Sequence, residues 1–216
     1  MTVQSPIPDF AAAREAMVEC QLRPQGVTDP AVLSAMGTVE RERFLPSYTR
    51  PLAYVDRAVS VGEGRFLPPS PVLGQLLTQM MPRRGQRALV VGAGTGYSAA
   101  VLARMGLQVT ALECSPILAA EARSLGVDVI EGPLAAGCSD RSPYEQILID
   151  GAVEYIPDAI VDQLADGGRL GTAVVDRGVT RLVVGRKAGG AFGTLSVGDA
   201  GVPALPGFSR PKEFIF

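Results

Sequence analysis

A glycine-rich turn, Gly92-Ala93-Gly94-Thr95-Gly96, restricts the fold of this chain more than any other feature of its sequence. The apolar segment 88–91 before it is typical of a buried strand, and the segment 97–105 after it has apolar residues at helical spacing. Glycines permit positive φ and let the backbone approach a ligand closely. A strand, a glycine turn and a helix in this order therefore indicate a ligand site at the carboxyl end of a central parallel strand.

Strands and helices continue to alternate after the turn, and this alternation predicts an α/β fold. The predicted helices are 97–105, 116–125 and 157–164, and the predicted strands are 88–91, 108–112, 127–130 and 146–150. Three further strands, 169–175, 181–186 and 191–197, are separated by polar and glycine turns. We therefore expect a doubly wound, mostly parallel sheet of seven strands that ends in antiparallel strands, with helices on both faces.

The N-terminal region, residues 1–82, is predicted to be helical and then looped, and to cap the sheet region 83–216 within one domain. Asp9, Asp29 and Ser70 stand where helix N-caps are expected, and a proline follows two of them directly. The sequence does not define the path of the tail 203–216. Its last residues, Phe214-Ile215-Phe216, suggest a final strand or a docking contact.

Composition excludes several classes of function. A formal net charge of -2 argues against a nucleic-acid partner, and the longest apolar runs are too short to span a bilayer. Three widely spaced cysteines suggest neither a disulfide framework nor a metal site, so we expect a cytoplasmic protein without a bound metal. The chain contains no histidine, so its chemistry does not use an imidazole base. The oligomeric state stays open.

Glu113 ends the second predicted strand, about 20 residues after the glycine turn, where a carboxylate can accept hydrogen bonds from both hydroxyls of a ribose. A dinucleotide-binding site is the competing interpretation, but its fingerprint requires a small residue at the position of Tyr97. The turn also lacks the Lys-Ser/Thr pair of a nucleoside triphosphate loop. S-adenosylmethionine is therefore the expected cofactor. The simpler alternative is a plain tight turn beside a solvated strand end.

Several blocks of sequence resemble the protein-L-isoaspartate (D-aspartate) O-methyltransferases, between about residues 17 and 170. The N-terminal blocks are the more specific ones, because their order is associated with this family, whereas glycine turns of this type occur across methyltransferases. The matching blocks are MVECQLR (17–23), Gly26-Val27, VLSAM (32–36), RERFLP (41–46), AYVD (53–56), VGEG (61–64), the glycine turn, Glu113-Cys114-Ser115-Pro116, 147–152 and LADGGRL (164–170).

This resemblance implies transfer of a methyl group from S-adenosylmethionine to the α-carboxylate of an isoaspartyl residue in a damaged protein or peptide. Such a carboxylate has a pKa of roughly 3.5 and is ionised at neutral pH, so the nucleophile needs no base. An alternative is a divergent member with another carboxylate substrate. A catalytically inactive module that keeps the cofactor fold is a further alternative.

The loop after Gly64 departs from the family. The family usually continues with glutamine and, three places later, a serine whose hydroxyl lies at the substrate carboxylate. This chain has Arg65 and Pro68 at those positions, and proline can donate no hydrogen bond. Arg65 is a candidate partner for a carboxylate, and Ser70 is a candidate replacement donor. The simpler interpretations are a solvated arginine and a helix-capping serine.

Three more residues are candidate cofactor contacts. Cys114 follows Glu113 directly, and Glu131 stands where the family has the aspartate of a Gly-Asp-Gly segment. Asp150 ends a strand beside the expected site, where the simpler interpretation is a helix or turn cap. Val90 replaces an acidic residue that the family commonly has two places before the first glycine, so adenine recognition is expected to differ.

Overall fold

A seven-stranded sheet forms the centre of the computed structural model, which describes residues 9–210. In chain order the strands are β1 (Val59–Gly62), β2 (Arg65–Leu67), β3 (Arg87–Val91), β4 (Gln108–Glu113), β5 (Val129–Glu131), β6 (Tyr144–Val153), β7 (Leu164–Asp176), β8 (Val179–Ala188) and β9 (Ala191–Asp199). The order across the sheet is β5-β4-β3-β6-β7-β8-β9. Strands β3 to β7 are parallel, and β8 and β9 are antiparallel. The predicted doubly wound sheet is confirmed.

Helices cover both faces of this sheet. They are α1 (Phe10–Met17), α2 (Pro30–Thr38), α3 (Ser70–Met80), α4 (Tyr97–Arg104), α5 (Pro116–Ser124) and α6 (Asp158–Val161), and a π-helical turn, Val18–Leu22, continues α1. Alternate residues of β3 point to opposite faces, as the period of two requires. Val90 packs in a core with Leu77 and Leu102, whereas Leu89 packs in a second core with Ile160.

Two of the three predicted helix caps are confirmed. The carboxylate of Asp9 accepts a hydrogen bond from the backbone N–H of Ala12 at 3.1 Å, and that of Asp29 accepts one from Ala31 at 2.7 Å. Each bond satisfies an N–H group that has no partner inside its own helix. The N-terminal helices therefore begin where the sequence predicts.

Ser70 does not cap α3, so that prediction is wrong. Ser70 is already the first residue of the helix, and Pro69 occupies the cap position with φ -52° and ψ 141°. A capping side chain has to precede the first helical residue. The Ser70 hydroxyl is instead fully buried, without a hydrogen-bond partner among residues 9–210.

A short hairpin of β1 and β2 replaces part of the predicted loop before α3. Its strands pair antiparallel, with Val59 opposite Leu67 and Ser60 opposite Phe66. Side chains of β2 alternate, so Arg65 and Leu67 are buried and Phe66 is exposed. The hairpin forms a sheet of its own and does not join the central sheet.

The segment after β9 runs along the carboxyl end of β6. Ala152 donates a backbone hydrogen bond to Pro203 at 2.9 Å and accepts one from Leu205 at 2.8 Å, and Phe208 is fully buried. The predicted strand or docking contact of Phe214-Ile215-Phe216 lies outside the described residues.

Within residues 9–210, every helix is too short or too polar to cross a membrane.

Candidate cofactor site

The glycine turn lies at the carboxyl end of β3, where the strand order reverses between β3 and β6. The N–H groups of Gly92 and Ala93 both donate to the carbonyl of Leu112, which fixes the turn against β4. Gly96 has φ +97°, and a β-carbon there would lie 2.7 Å from Cγ2 of Val127. Both the backbone conformation and the packing therefore require glycine at this position. A reversal point of this kind is the usual ligand crevice of an open α/β sheet.

Glu113 is fully buried at the end of β4, so the interpretation as a solvated strand end is wrong. Its Oε2 accepts a hydrogen bond from the N–H of Gly94 at 2.7 Å. Its Oε1 accepts bonds from the N–H groups of Cys114 at 2.9 Å and Ser115 at 3.1 Å. Three backbone donors hold the carboxylate in one orientation beside the glycine turn.

Arg65 is also buried, with 6% of its side chain exposed, so it is not a solvated loop residue. Its Nη1 donates to both carboxylate oxygens of Glu113, at 2.8 and 3.0 Å. Its Nη2 donates to the carbonyl of Gly92 at 2.7 Å. The predicted substrate residue Arg65 and the predicted cofactor residue Glu113 therefore form one ion pair.

Thr95 and Tyr97 attach the turn to the N-terminal region. The Thr95 hydroxyl donates to the carbonyl of Phe44 at 2.7 Å. The rings of Phe44 and Tyr97 meet edge to face, with centroids 5.6 Å apart. The Tyr97 hydroxyl is buried and has no hydrogen-bond partner within the described part of the chain.

Arg41 is a structural residue of the site that the sequence did not identify as one. It is 1% exposed, and its guanidinium carbon lies 4.9 Å from the centroid of the Tyr97 ring. Its Nε donates to the carbonyl of Ala53 at 2.7 Å and its Nη2 to that of Pro68 at 2.5 Å. Arg41 thus holds the loop before α3 against the helix that follows the glycine turn. Its place in the block RERFLP (41–46), which resembles the family, was the available sequence signal.

Asp150 lies at the end of the same crevice, in β6. Burial raises the pKa of Asp150 to about 6, and the hydrogen bond from the Ser98 hydroxyl, at 2.6 Å, opposes that shift. This hydrogen bond joins the side chain of Asp150 on β6 to that of Ser98 on α4. The described bond is therefore not the bond to a backbone N–H that a helix or turn cap would make. Asp150 is consequently a titratable group in the range near neutrality.

Replacing Asp150 with asparagine is expected to raise the free energy of unfolding by about 1–3 kcal/mol at about pH 8, with little change at about pH 4. In the folded protein the Asp150 carboxyl stays protonated up to about pH 6. In the unfolded chain an aspartate has a pKa of roughly 3.9. The unfolded state binds fewer protons between these values, so stability falls as pH rises through them. Urea denaturation at both pH values measures the difference. An equal effect at both would contradict it, and Asp140→Asn, at an exposed aspartate, is the control.

Glu131 and Cys114 flank the ion pair. Glu131 lies opposite Glu113 in the pairing of β4 with β5, but its side chain is exposed and contacts Arg123 at 2.6 Å. Cys114 is exposed beside Glu113.

Leu205 covers the inner part of the crevice. Its Cδ atoms lie 3.0 Å from the place that a β-carbon on Gly92 would take, and its side chain also packs against Gly151. The absence of side chains on both glycines lets the C-terminal segment lie this close. Leu205 and Arg65 together fill the space next to the glycine turn.

Within residues 9–210, acidic residues and cysteines form no cluster of three that could hold a metal ion.

Comparison with known proteins gives consistent matches. The family model described as protein-L-isoaspartate(D-aspartate) O-methyltransferase matches residues 12–194. The chain is 41% identical to a protein-L-isoaspartate O-methyltransferase of Methylorubrum extorquens strain PA1, over 78% of this chain and 77% of the relative. It is 34% identical to one of Roseiflexus castenholzii, over 95% of this chain and 97% of the relative.

Two solved structures share the fold. One, named protein-L-isoaspartate O-methyltransferase, has a TM-score of 0.78 at 23% identity and covers 90% of this chain and 67% of its own. The other, a Plasmodium falciparum protein in complex with S-adenosyl-L-homocysteine, has a TM-score of 0.78 at 18% identity and covers 93% of this chain and 100% of its own. At these identities the likeness concerns the fold.

Proposed function

The chain belongs to the protein-L-isoaspartate(D-aspartate) O-methyltransferase family, and from that premise we propose that it uses S-adenosylmethionine to methylate the α-carboxylate of isoaspartyl residues in damaged proteins. The observation that carries the proposal is the position of Glu113. Its buried carboxylate, held by three backbone N–H groups, stands at the switch point beside the glycine turn. That is where a methyltransferase of this fold binds the ribose of its cofactor.

The residues of the crevice suit this cofactor in composition. Glu113 offers acceptors for two ribose hydroxyls, and the turn is open to close approach at Gly94, where a β-carbon would meet only Cγ2 of Val61, at 4.0 Å. Glu131, Cys114 and Asp150 are proposed to contact the outer parts of the cofactor. The side chain of Arg65, however, donates to both carboxylate oxygens of Glu113. It has to move before these oxygens can accept hydrogen bonds from a ribose.

The proposed reaction does not require a general acid or base from this chain. When bound, S-adenosylmethionine supplies an electrophilic methyl group on a sulfonium, and the substrate carboxylate is already ionised at neutral pH. The chain contributes alignment and exclusion of water, which would otherwise stabilise the anionic nucleophile. The N-terminal region is the proposed cover that excludes water, because Phe44 binds the Thr95 hydroxyl of the turn and Arg41 packs on the ring of Tyr97 directly after it.

The substrate donor is proposed to be Ser70. Pro68 stands where the family has its serine, and its carbonyl is used by Arg41. The Ser70 hydroxyl is fully buried and has no hydrogen-bond partner within residues 9–210. It can therefore donate a hydrogen bond to a bound substrate. A two-residue shift of the loop would bring it to the position of Pro68.

The Arg65–Glu113 pair favours a second candidate function, a cofactor-fold module without catalytic activity. A buried pair of this kind keeps the ribose acceptors occupied and would make the module insensitive to S-adenosylmethionine. The two functions differ in whether the cofactor binds at all.

Methyl transfer to an isoaspartyl peptide tests the first function. With radiolabelled S-adenosylmethionine, the purified chain is expected to label the isoaspartyl peptide and to leave the matched aspartyl peptide unlabelled, because only the former presents the family's carboxylate. Calorimetric titration with S-adenosylhomocysteine accompanies the assay. Binding without turnover would sink the isoaspartyl assignment, and absence of binding would favour the inactive module.

We also propose that the chain acts as a single domain in the cytoplasm. One buried cluster joins Met17 and Leu77 of the N-terminal region to Val90 of the sheet region, which supports a single unit. The free cysteines Cys20, Cys114 and Cys138 suit a reducing compartment.

A further inference from the structure

The Glu113 carboxylate has a limited number of places for hydrogen-bond donors. Two carboxylate oxygens offer about four acceptor positions in total. The N–H groups of Cys114 and Ser115 bind Oε1, and that of Gly94 binds Oε2. Nη1 of Arg65 then bridges both oxygens, at 2.8 and 3.0 Å, so five N–H···O contacts share about four positions and none is left free.

A ribose diol needs the same two positions. Its neighbouring hydroxyls bind a carboxylate by placing one donor on each oxygen, which is how Nη1 of Arg65 binds Glu113. The backbone donors cannot leave without unfolding the turn and the strand end, whereas a side chain can swing away. The guanidinium and the diol are therefore mutually exclusive ligands of Glu113.

We propose that Arg65 is an internal latch on the cofactor site, which S-adenosylmethionine has to displace from Glu113 when it binds. This inference rests on the proposed function and concerns its regulation. In the latched protein the ion pair lowers the affinity for the cofactor, and release of Arg65 makes the ribose acceptors available.

The hairpin that carries Arg65 is not part of the central sheet, and Val59, Val61 and Leu67 anchor it in the buried core. β2 has three residues and pairs only with β1 among the described strands. The turn between them, Gly62-Glu63-Gly64, has positive φ at all three residues, and Glu63 and Gly64 are exposed. Withdrawal of Arg65 thus disturbs a short local pairing and leaves the seven-stranded sheet intact.

The latch also links the cofactor site to the proposed substrate loop. β2 ends at Leu67, and the next residues are Pro68, Pro69 and the proposed substrate donor Ser70. Only four residues separate Arg65 from Ser70, so a displacement of Arg65 is transmitted to this loop within one short segment. Cofactor binding is therefore expected to reposition the substrate loop, and this gives the enzyme an order of binding with the cofactor first.

Calorimetric titration of S-adenosylhomocysteine into the full chain and the variant Arg65→Gln tests the latch. Glutamine is the residue usual in the family at this position, and it cannot form the charged pair. We expect Arg65→Gln to bind roughly ten- to hundredfold more tightly than the unaltered chain, or about 1.4–2.8 kcal/mol. Arg65→Lys, which keeps the charge but lacks the fork that reaches both Glu113 and Gly92, is expected to lie between them. Equal or weaker binding by folded Arg65→Gln would overturn the latch.

Arg181→Gln is the matched control. Arg181 is a half-exposed arginine on β8 that pairs with Asp176 and Asp199, at 3.9 and 3.6 Å, away from the crevice. Its replacement removes the same charge from the chain and is expected to leave the affinity unchanged. A gain in affinity equal to that of Arg65→Gln would assign the effect to net charge and contradict the latch.

Hydrogen exchange of the unaltered chain provides a test that needs no variant. Saturating S-adenosylhomocysteine is expected to speed amide exchange in the hairpin 59–67, because Arg65 loses its anchor, while the strands of the central sheet stay protected. Unchanged or slower exchange in 59–67 would overturn the latch even if Arg65→Gln fails to fold.

The outcomes separate the latch from the function on which it rests. If the unaltered chain and Arg65→Gln bind S-adenosylhomocysteine equally, the cofactor assignment stands and the latch fails. If neither the unaltered chain nor any folded variant binds, the proposed function fails, and the latch falls with it.

Discussion

Replacing Glu113 with alanine is expected to lower the free energy of unfolding by about 3–5 kcal/mol, because it leaves a buried charge without a partner. Arg65 would keep its guanidinium inside the crevice with only the Gly92 carbonyl as acceptor. The N–H groups of Gly94, Cys114 and Ser115 would also lose their acceptor. Urea denaturation at neutral pH measures the loss.

Glu131→Ala is the control for Glu113→Ala. Glu131 lies opposite Glu113 on β5 but is exposed, and its contact with Arg123 is a surface ion pair. Such a replacement is expected to change stability by less than about 0.5 kcal/mol. The double variant Arg65→Ala with Glu113→Ala removes the unpaired cation, so it should be less destabilised than the sum of the two single variants. Additive losses would show that the pair is not coupled.

Replacing Arg41 with methionine is expected to lower the free energy of unfolding by about 2–5 kcal/mol, because two buried carbonyl groups lose their donor. Those carbonyls belong to Ala53 and Pro68, and the favourable contact of the guanidinium with the Tyr97 ring is lost as well. Methionine keeps most of the side-chain length, so the loss reports the hydrogen bonds more than a cavity. Urea denaturation provides the measurement.

Arg43→Met separates this effect from a general loss of charge. Arg43 lies two residues from Arg41 but is exposed, and it contacts Glu40 at 3.4 Å on the surface. We expect its replacement to change stability by less than about 0.5 kcal/mol. If Arg41→Met were as mild as Arg43→Met, the inferred attachment of the loop before α3 would be incorrect.

Much of the fold could be predicted from the sequence because its signals are local. The apolar run 88–91, the glycine turn and the apolar helix face that follows are adjacent in the chain, and each restricts the backbone at its own position. The structure places β3, the turn and α4 at nearly the predicted residues. The location of Glu113 at a strand end follows from the same local pattern.

The mistakes arose where local signals were weak or ambiguous. The β1–β2 hairpin has one strand of four and one of three residues, too short for a clear alternation. Ser70 before Pro71 has the composition of a helix cap, but the helix begins one residue earlier and buries the hydroxyl. A shift of one residue changes the role of a side chain and leaves the sequence pattern unchanged.

The sequence by itself determined the parallel sheet and the position of the candidate crevice, because hydrophobic period and glycine spacing act on neighbouring residues. The family was indicated by the resemblance of the N-terminal sequence blocks. Only the tertiary structure decided which side chains from distant segments fill the crevice. Arg65 meets Glu113 across 48 residues, and Leu205 reaches Gly92 from the C-terminal segment. Periodicity specifies that a side chain is buried, but its partner depends on how distant segments close over the sheet.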